Sequence, residues 1–76
     1  MARVLLVDED KDFRAMVREA LEQEGHVVDE TAAGAEAVTR LRRAAYDLVI
    51  AELYLPEMTG LEFAAALRSI GPTAPP

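Results

Sequence analysis

The sequence predicts an α/β fold, a three-layer arrangement with a parallel sheet between helices, on three observations. Two apolar runs, Val4-Leu5-Leu6-Val7 and Leu48-Val49-Ile50-Ala51, are continuous rather than alternating, and each stops at a carboxylate. Such runs suit strands buried on both faces. Between and after them, apolar residues recur at helical spacing. The resulting order, βαβαβα with no linker or repeat, implies parallel strands joined by right-handed crossovers.

Taken in order, strand 1 covers Val4 to Val7 and ends in Asp8-Glu9-Asp10. Phe13, Met16, Val17, Ala20 and Leu21 then form one stripe of helix 1, with Asp10 as its N-cap and Gly25 as its stop. Val27-Val28-Asp29-Glu30-Thr31 is a short strand whose acids suit a sheet edge. Helix 2 runs from about Gly34 to Ala45 on the stripe Ala37, Val38, Leu41, Ala45. Strand 3 is Leu48 to Ala51, closed by Glu52. Tyr54 to Gly60, with Pro56, reads as a loop. Leu61, Ala64 and Leu67, with Phe63 and Ile70, make helix 3, which Gly71-Pro72 stops.

Composition narrows the chemistry. A globule of 76 residues buries only about 60% of the surface its unfolded chain exposes, so its core is marginal. Cysteine is absent and His26 is the one histidine, which excludes disulfides, thiolate metal sites and a structural zinc. Eight basic against fourteen acidic side chains give a net charge of −6, which disfavours nucleic acid and anionic membranes as partners. No apolar run approaches the ~20 residues of a membrane span, and the amino end is too short for a signal peptide. The expected location is the cytoplasm.

In parallel α/β sheets, ligands sit outside the carboxyl ends of the strands. If strands 1 and 3 are neighbours, Asp8, Glu9 and Glu52 meet there. Two unit charges ~4 Å apart repel by about 4 kcal/mol at an effective dielectric of 20, so such a cluster needs a cation or a raised pKa. Oxygen ligands favour a hard ion, and Mg²⁺, weakly held, is the natural candidate. The alternative, that these acids merely cap helix 1 and lie in solvent, stays open. An EF-hand reading of Asp8-x-Asp10-x-Asp12 with Glu19 fails because Phe13 stands where that loop needs Gly. The same D-x-D resembles the nucleophile motif of haloacid-dehalogenase-like phosphatases, but Lys11-Asp12 replaces their usual small residue and Thr. No glycine pattern suits a nucleotide. His26 reads as a half-exposed edge residue, and Arg40, Arg42 and Arg43 as a solvated face that favours the dipole of helix 2.

Taken together, V-L-L-V-D-E-D, the helix ending in E-Q-E-G-H-V-V-D, and D-L-V-I-A-E-L-Y-L-P-E-M-T-G resemble the receiver domain of two-component response regulators. The resemblance runs from Arg3 to the last residue without gaps and makes residues 1–76 one receiver-like domain. It implies a flavodoxin-like fold with strand order 2-1-3, here truncated before strand 4 and so incomplete at the carboxyl end. It assigns Mg²⁺ binding to Asp8 and Glu9, the phosphoacceptor position to Glu52, a metal-binding backbone carbonyl to Tyr54, and the loop before helix 3 to Pro56 and Gly60.

Two departures follow from the same comparison. The acceptor is Glu rather than Asp, which moves the carboxylate by ~1.5 Å, and a 1 Å misplacement of a nucleophile can cost ~10²-fold. The Ser/Thr and Lys that contact the phosphoryl group in receivers have no counterpart, and Lys11 cannot replace them. The expected function is a signal-transduction receiver module of a phosphorelay and not an enzyme. It is either a fragment, with Glu52 a natural or engineered fixed negative charge, or a free-standing interaction module independent of phosphorylation. A Mg²⁺-dependent phosphoryl-transfer enzyme is the alternative of another class. The expected partner is a sensor histidine kinase or another signalling protein. Strand 3, or a sheet face left uncovered over strands 1 and 3, is expected to drive homo-oligomerisation.

Overall fold

The run Val4-Leu5-Leu6-Val7 has no polar face to give to solvent, and the fold places it where none is needed. The computed structural model describes residues 1–52 and 57–70. Its elements are β1 (Arg3–Val7), α1 (Lys11–Gln23), β2 (Val27–Thr31), α2 (Gly34–Arg43), β3 (Leu48–Ala51) and α3 (Gly60–Ile70). The strands are parallel in the order β2-β1-β3. Val4 to Val7 are each no more than 1% exposed, because β1 is paired on both edges and covered on both faces. On one face Leu5 and Val7 pack with Ala37 and Leu41 of α2, Phe63 of α3 and Tyr46. On the other, Val4, Leu6 and Val28 meet Val17 and Leu21 of α1.

Local signals explain the helix ends. Asp10 caps α1 by accepting the N–H groups of Asp12 at 3.0 Å and Phe13 at 3.1 Å. At the other end His26 N–H donates to Leu21 O at 3.2 Å and Gly25 N–H to Glu22 O at 3.0 Å, a pair of bonds that needs Gly25 at φ +86°. Thr59 and Glu62 cap α3 reciprocally: Thr59 N–H donates to the Glu62 carboxylate at 3.0 Å, and Glu62 N–H to Thr59 Oγ1 at 3.2 Å.

The structure corrects several expectations. Helix 2 stops at Arg43, because Ala44 is already extended at φ −144°, ψ 151°, and Ala45 points to solvent. Helix 3 buries Phe63, at 3% exposure, while Leu61 is 77% exposed and Ala64 is exposed. The buried stripe therefore follows Phe63, whose ring fills the gap between α2 and β1, and not Leu61 and Ala64. Of the apolar stripe of α1, Val17 and Leu21 pack against the sheet, while Phe13 stays 42% and Met16 61% exposed. The uncovered face is also narrower than expected. It spares β1; on β3, Leu48 is exposed and Ile50 half-buried on the α1 face, while Ala51 is exposed on the other. Gly71-Pro72 lies outside the described residues.

Tyr46 straps the far end of the sheet together. Its buried hydroxyl donates to Asp29 on β2, and the Arg3 guanidinium lies 4.9 Å over its ring while contacting Asp29 at 3.3 Å. Asp47 then zips β3 to β1, accepting Arg3 N–H at 2.7 Å and donating its own N–H to Arg3 O at 2.8 Å. Burial, reinforced by the bond to Asp29, pushes the Tyr46 phenol above its ordinary range. The Tyr46 hydrogen bond, with help from Arg3, holds Asp29 below the usual carboxylate range.

Two outcomes follow from this packing. Phe63→Ala costs about 3–5 kcal/mol, enough to unfold a marginal chain, whereas Leu61→Ala stays within about 0.5 kcal/mol; urea titration followed by circular dichroism separates them. The raised Tyr46 pKa favours the neutral phenol in the fold, so its contribution is complete below about pH 10 and is lost as pH rises through the folded value. Tyr46→Phe therefore lowers the urea midpoint at neutral pH and flattens its decline above about pH 10.

Candidate functional site

Two main-chain bonds continue the sheet ladder one residue past the strands. Asp8 N–H donates to Thr31 O at 3.1 Å and Glu52 N–H to Val7 O at 3.1 Å. Since Val7 pairs with both Thr31 and Ala51, Asp8 and Glu52 emerge side by side from neighbouring strands. This is the carboxyl edge at which the sequence places the acids.

Each acid there has a different task. Asp8 is buried, and its Oδ1 accepts Asp10 N–H at 2.9 Å, which folds the turn between β1 and α1. Asp10 is committed to the α1 cap, so the capping alternative describes Asp10 and not Asp8. Glu52 is half-buried, and its longer side chain reaches across to accept Glu9 N–H at 3.1 Å. Glu9 thus joins the edge through its main chain, while its side chain is exposed. Among the described residues no group of three or more His, Asp or Glu side chains is placed to hold a metal ion. Tyr54 and Pro56 lie outside the described residues. Gly60 opens α3.

The structure adds residues that the sequence reading passed over. Arg14 leaves α1 to donate through Nη1 to Asp8 O, and through Nε to Glu30 Oε1 at 2.9 Å. Arg18, one turn later, closes on Glu30 Oε2 at 2.8 Å. These guanidiniums, Arg18 foremost, hold the Glu30 carboxyl below its usual range. Thr31 Oγ1 donates to Glu36 Oε2 at 2.6 Å, which likewise lowers Glu36. Ala33, the N-cap of α2, has no side-chain oxygen, and Glu57 compensates by accepting Ala35 N–H at 3.0 Å. The sequence signal for the arginines was their i, i+4 spacing beside the apolar stripe, opposite an acid on an edge strand.

Other candidates separate from the edge. His26 is half-buried and accepts Ala2 N–H through Nδ1 at 3.0 Å, at the opposite end of the sheet. Arg42 and Arg43 are exposed in the last turn of α2. The EF-hand spacing is broken in space, because α1 begins at Lys11, inside the segment that would have to be loop.

Comparison with known proteins agrees with this geometry. The family model for the response regulator receiver domain matches residues 4–75. The response regulator receiver protein CpdR of Brucella abortus is 36% identical over 72 residues, covering 95% of this chain and 60% of CpdR. The chemotaxis response regulator CheY4 of Vibrio cholerae superposes with a TM-score of 0.87 at 40% identity, over 90% of this chain and 57% of CheY4. The response regulator TrrA of Thermotoga maritima has been solved with Mg²⁺-BeF and in complex with the histidine kinase ThkA. It superposes with a TM-score of 0.85 at 36% identity, over 91% of this chain and 60% of TrrA. The chain spans about three fifths of the length of these relatives. The family match over residues 4–75 and the superposition of the parallel 2-1-3 sheet on these receivers agree, and the chain belongs to the response regulator receiver domain family.

Proposed function

We propose that residues 1–76 act as one signal-receiving module of a two-component phosphorelay, in which Glu52 stands at the phosphoacceptor position as a fixed negative charge. The observation that carries this reading is the Glu52 carboxylate engaged with the Glu9 amide, at 3.1 Å, beside the buried Asp8. A carboxylate committed to a main-chain donor is a poor nucleophile, and its extra methylene displaces it from an in-line position by ~1.5 Å. It supplies one charge where a phosphoryl group would supply roughly −1.5 to −2, so the imitation is partial. The module is a signalling part rather than an enzyme, and its partner is a sensor histidine kinase or another signalling protein; the complex of TrrA with ThkA supports that class of partner. No helix among the described residues is long and apolar enough to cross a membrane, and a cytoplasmic site of action fits the expected phosphorelay.

The donors at the edge fit Mg²⁺. They are hard carboxylate oxygens, and this ion is usually held by one or two carboxylates with water completing its shell. Asp8 and Glu52 would supply them, with Glu9 and the carbonyl of Tyr54 as further candidates. Bound Mg²⁺ would offset the repulsion among the clustered acids and draw an anionic oxygen to the edge. With one Asp8 oxygen committed to Asp10 N–H and one Glu52 oxygen to Glu9 N–H, the affinity is weak.

Mass spectrometry after incubation with acetyl phosphate and Mg²⁺, with NMR in the same buffer, tests both halves of this reading. The expected result is no adduct of about +80 Da, one phosphoryl group, and Mg²⁺-dependent shifts first at residues 7–10 and 51–55. An adduct overturns the fixed-charge role, and shifts confined to residues 10–19 overturn the Mg²⁺ assignment.

The open edge supports a further reading, that the chain works as a homo-oligomer through β3. Its outer edge has no strand partner among the described residues. Leu48 on β3 and Phe13 and Met16 on α1 are exposed, and an unblunted apolar edge strand invites pairing. Sedimentation equilibrium at micromolar concentration is expected to give a dimer; a cooperatively folded monomer refutes it.

A further inference from the structure

Arg14 sits on α1 as an ordinary surface position by sequence, yet its side chain is only 13% exposed. Its guanidinium makes two contacts in different directions, Nη1 to Asp8 O and Nε to Glu30 Oε1. The first has a consequence at Glu52. The carbonyl of Asp8 and the N–H of Glu9 belong to one peptide group, and a trans peptide is planar, with its C=O and N–H pointing in opposite directions. Arg14 therefore holds the oxygen side of the same rigid plane whose nitrogen side donates to Glu52 at 3.1 Å. Fixing one end aims the other. Glu30 in turn braces the guanidinium from β2, with Arg18 on its second oxygen. The result is a continuous hydrogen-bonded chain from β2 through α1 and the acidic turn to the end of β3.

We propose that Arg14 is a positioning residue of the acidic edge: through the Asp8–Glu9 peptide it aims the Glu9 amide at Glu52 and so sets where the Glu52 carboxylate rests. Hydrogen bonds arranged in series polarise one another, so the charge on the guanidinium also strengthens the amide as a donor. The bridge is a feature of the chain itself and stands apart from the functional reading above.

Metal-free amide exchange and chemical shift of Glu9, followed by NMR in Arg14→Ala, Arg14→Lys and Arg18→Ala, test the proposal. Arg14→Ala is expected to speed exchange at Glu9 about tenfold or more, the effect of losing a charge-assisted hydrogen bond, and to move its amide proton upfield. Arg14→Lys keeps the charge with a single point donor and recovers part of the protection. Arg18→Ala removes an ion pair to the same Glu30 without touching Asp8, and leaves Glu9 unchanged. Glu52→Ala releases the Glu9 amide to a similar extent from the other end. An unaltered Glu9 amide in Arg14→Ala, or an equal change in Arg18→Ala, overturns the bridge.

Discussion

The double pairing of β1 is the constraint on which the rest of the molecule depends. A strand with no polar face is stable only when both edges are hydrogen-bonded and both faces are covered, and Val4 to Val7 meet all four conditions. That requirement places β2 and β3 on opposite sides of β1 and the helices on opposite faces. It also brings the strand ends to one level, because the register that pairs Val7 with Thr31 and with Ala51 sends Asp8 and Glu52 out together. The candidate site is thus a by-product of core packing carried one residue too far to stay apolar.

An edge with this many acids would repel itself without donors, and the donors are main-chain amides. Asp8 takes the N–H of Asp10, Asp10 those of Asp12 and Phe13, Glu52 that of Glu9, Glu57 that of Ala35 and Glu62 that of Thr59. All three helices begin at this end of the sheet because each follows a parallel strand, so their unpaired N–H groups and the positive ends of their dipoles collect where the carboxylates are. Charge repulsion is relieved by geometry that any βαβ chain supplies. Arg14 is the cationic side chain that enters from α1 and grips the turn itself.

How much of the site could be read beforehand depended on range in sequence. Asp8, Glu52 and the Asp10 cap follow from short patterns: an apolar run, the carboxylate that ends it, and a capping residue before a helical stripe. The Glu52 to Glu9 contact, 43 residues apart, was implied only as proximity, and its form as carboxylate to amide rather than carboxylate to carboxylate required the turn geometry. Arg14 was legible only through its i, i+4 spacing to Arg18, because its two partners, a carbonyl and an edge-strand acid, have no shared local signature. The phase of α3 was misjudged for a related reason. Leu61 and Phe63 are both apolar, and periodicity cannot say which of two adjacent faces will meet α2.

The sequence by itself determined the order βαβαβα, the parallel sheet, the edge position of β2 and the acidic carboxyl end, since each follows from hydrophobic period, capping and charge over a few residues. Tertiary structure alone decided which apolar residues are spent on the core. Phe13 and Met16 share a stripe with Val17 and Leu21 but remain exposed, because one helix on that face of a three-stranded sheet meets it along a line and not across its whole apolar side. It also decided that Glu52 rests on a main-chain amide held in place from α1 by Arg14, itself braced by Glu30 of β2. Such contacts depend on the planarity of one peptide and the registry of three strands, neither of which is written in the identity of any single residue.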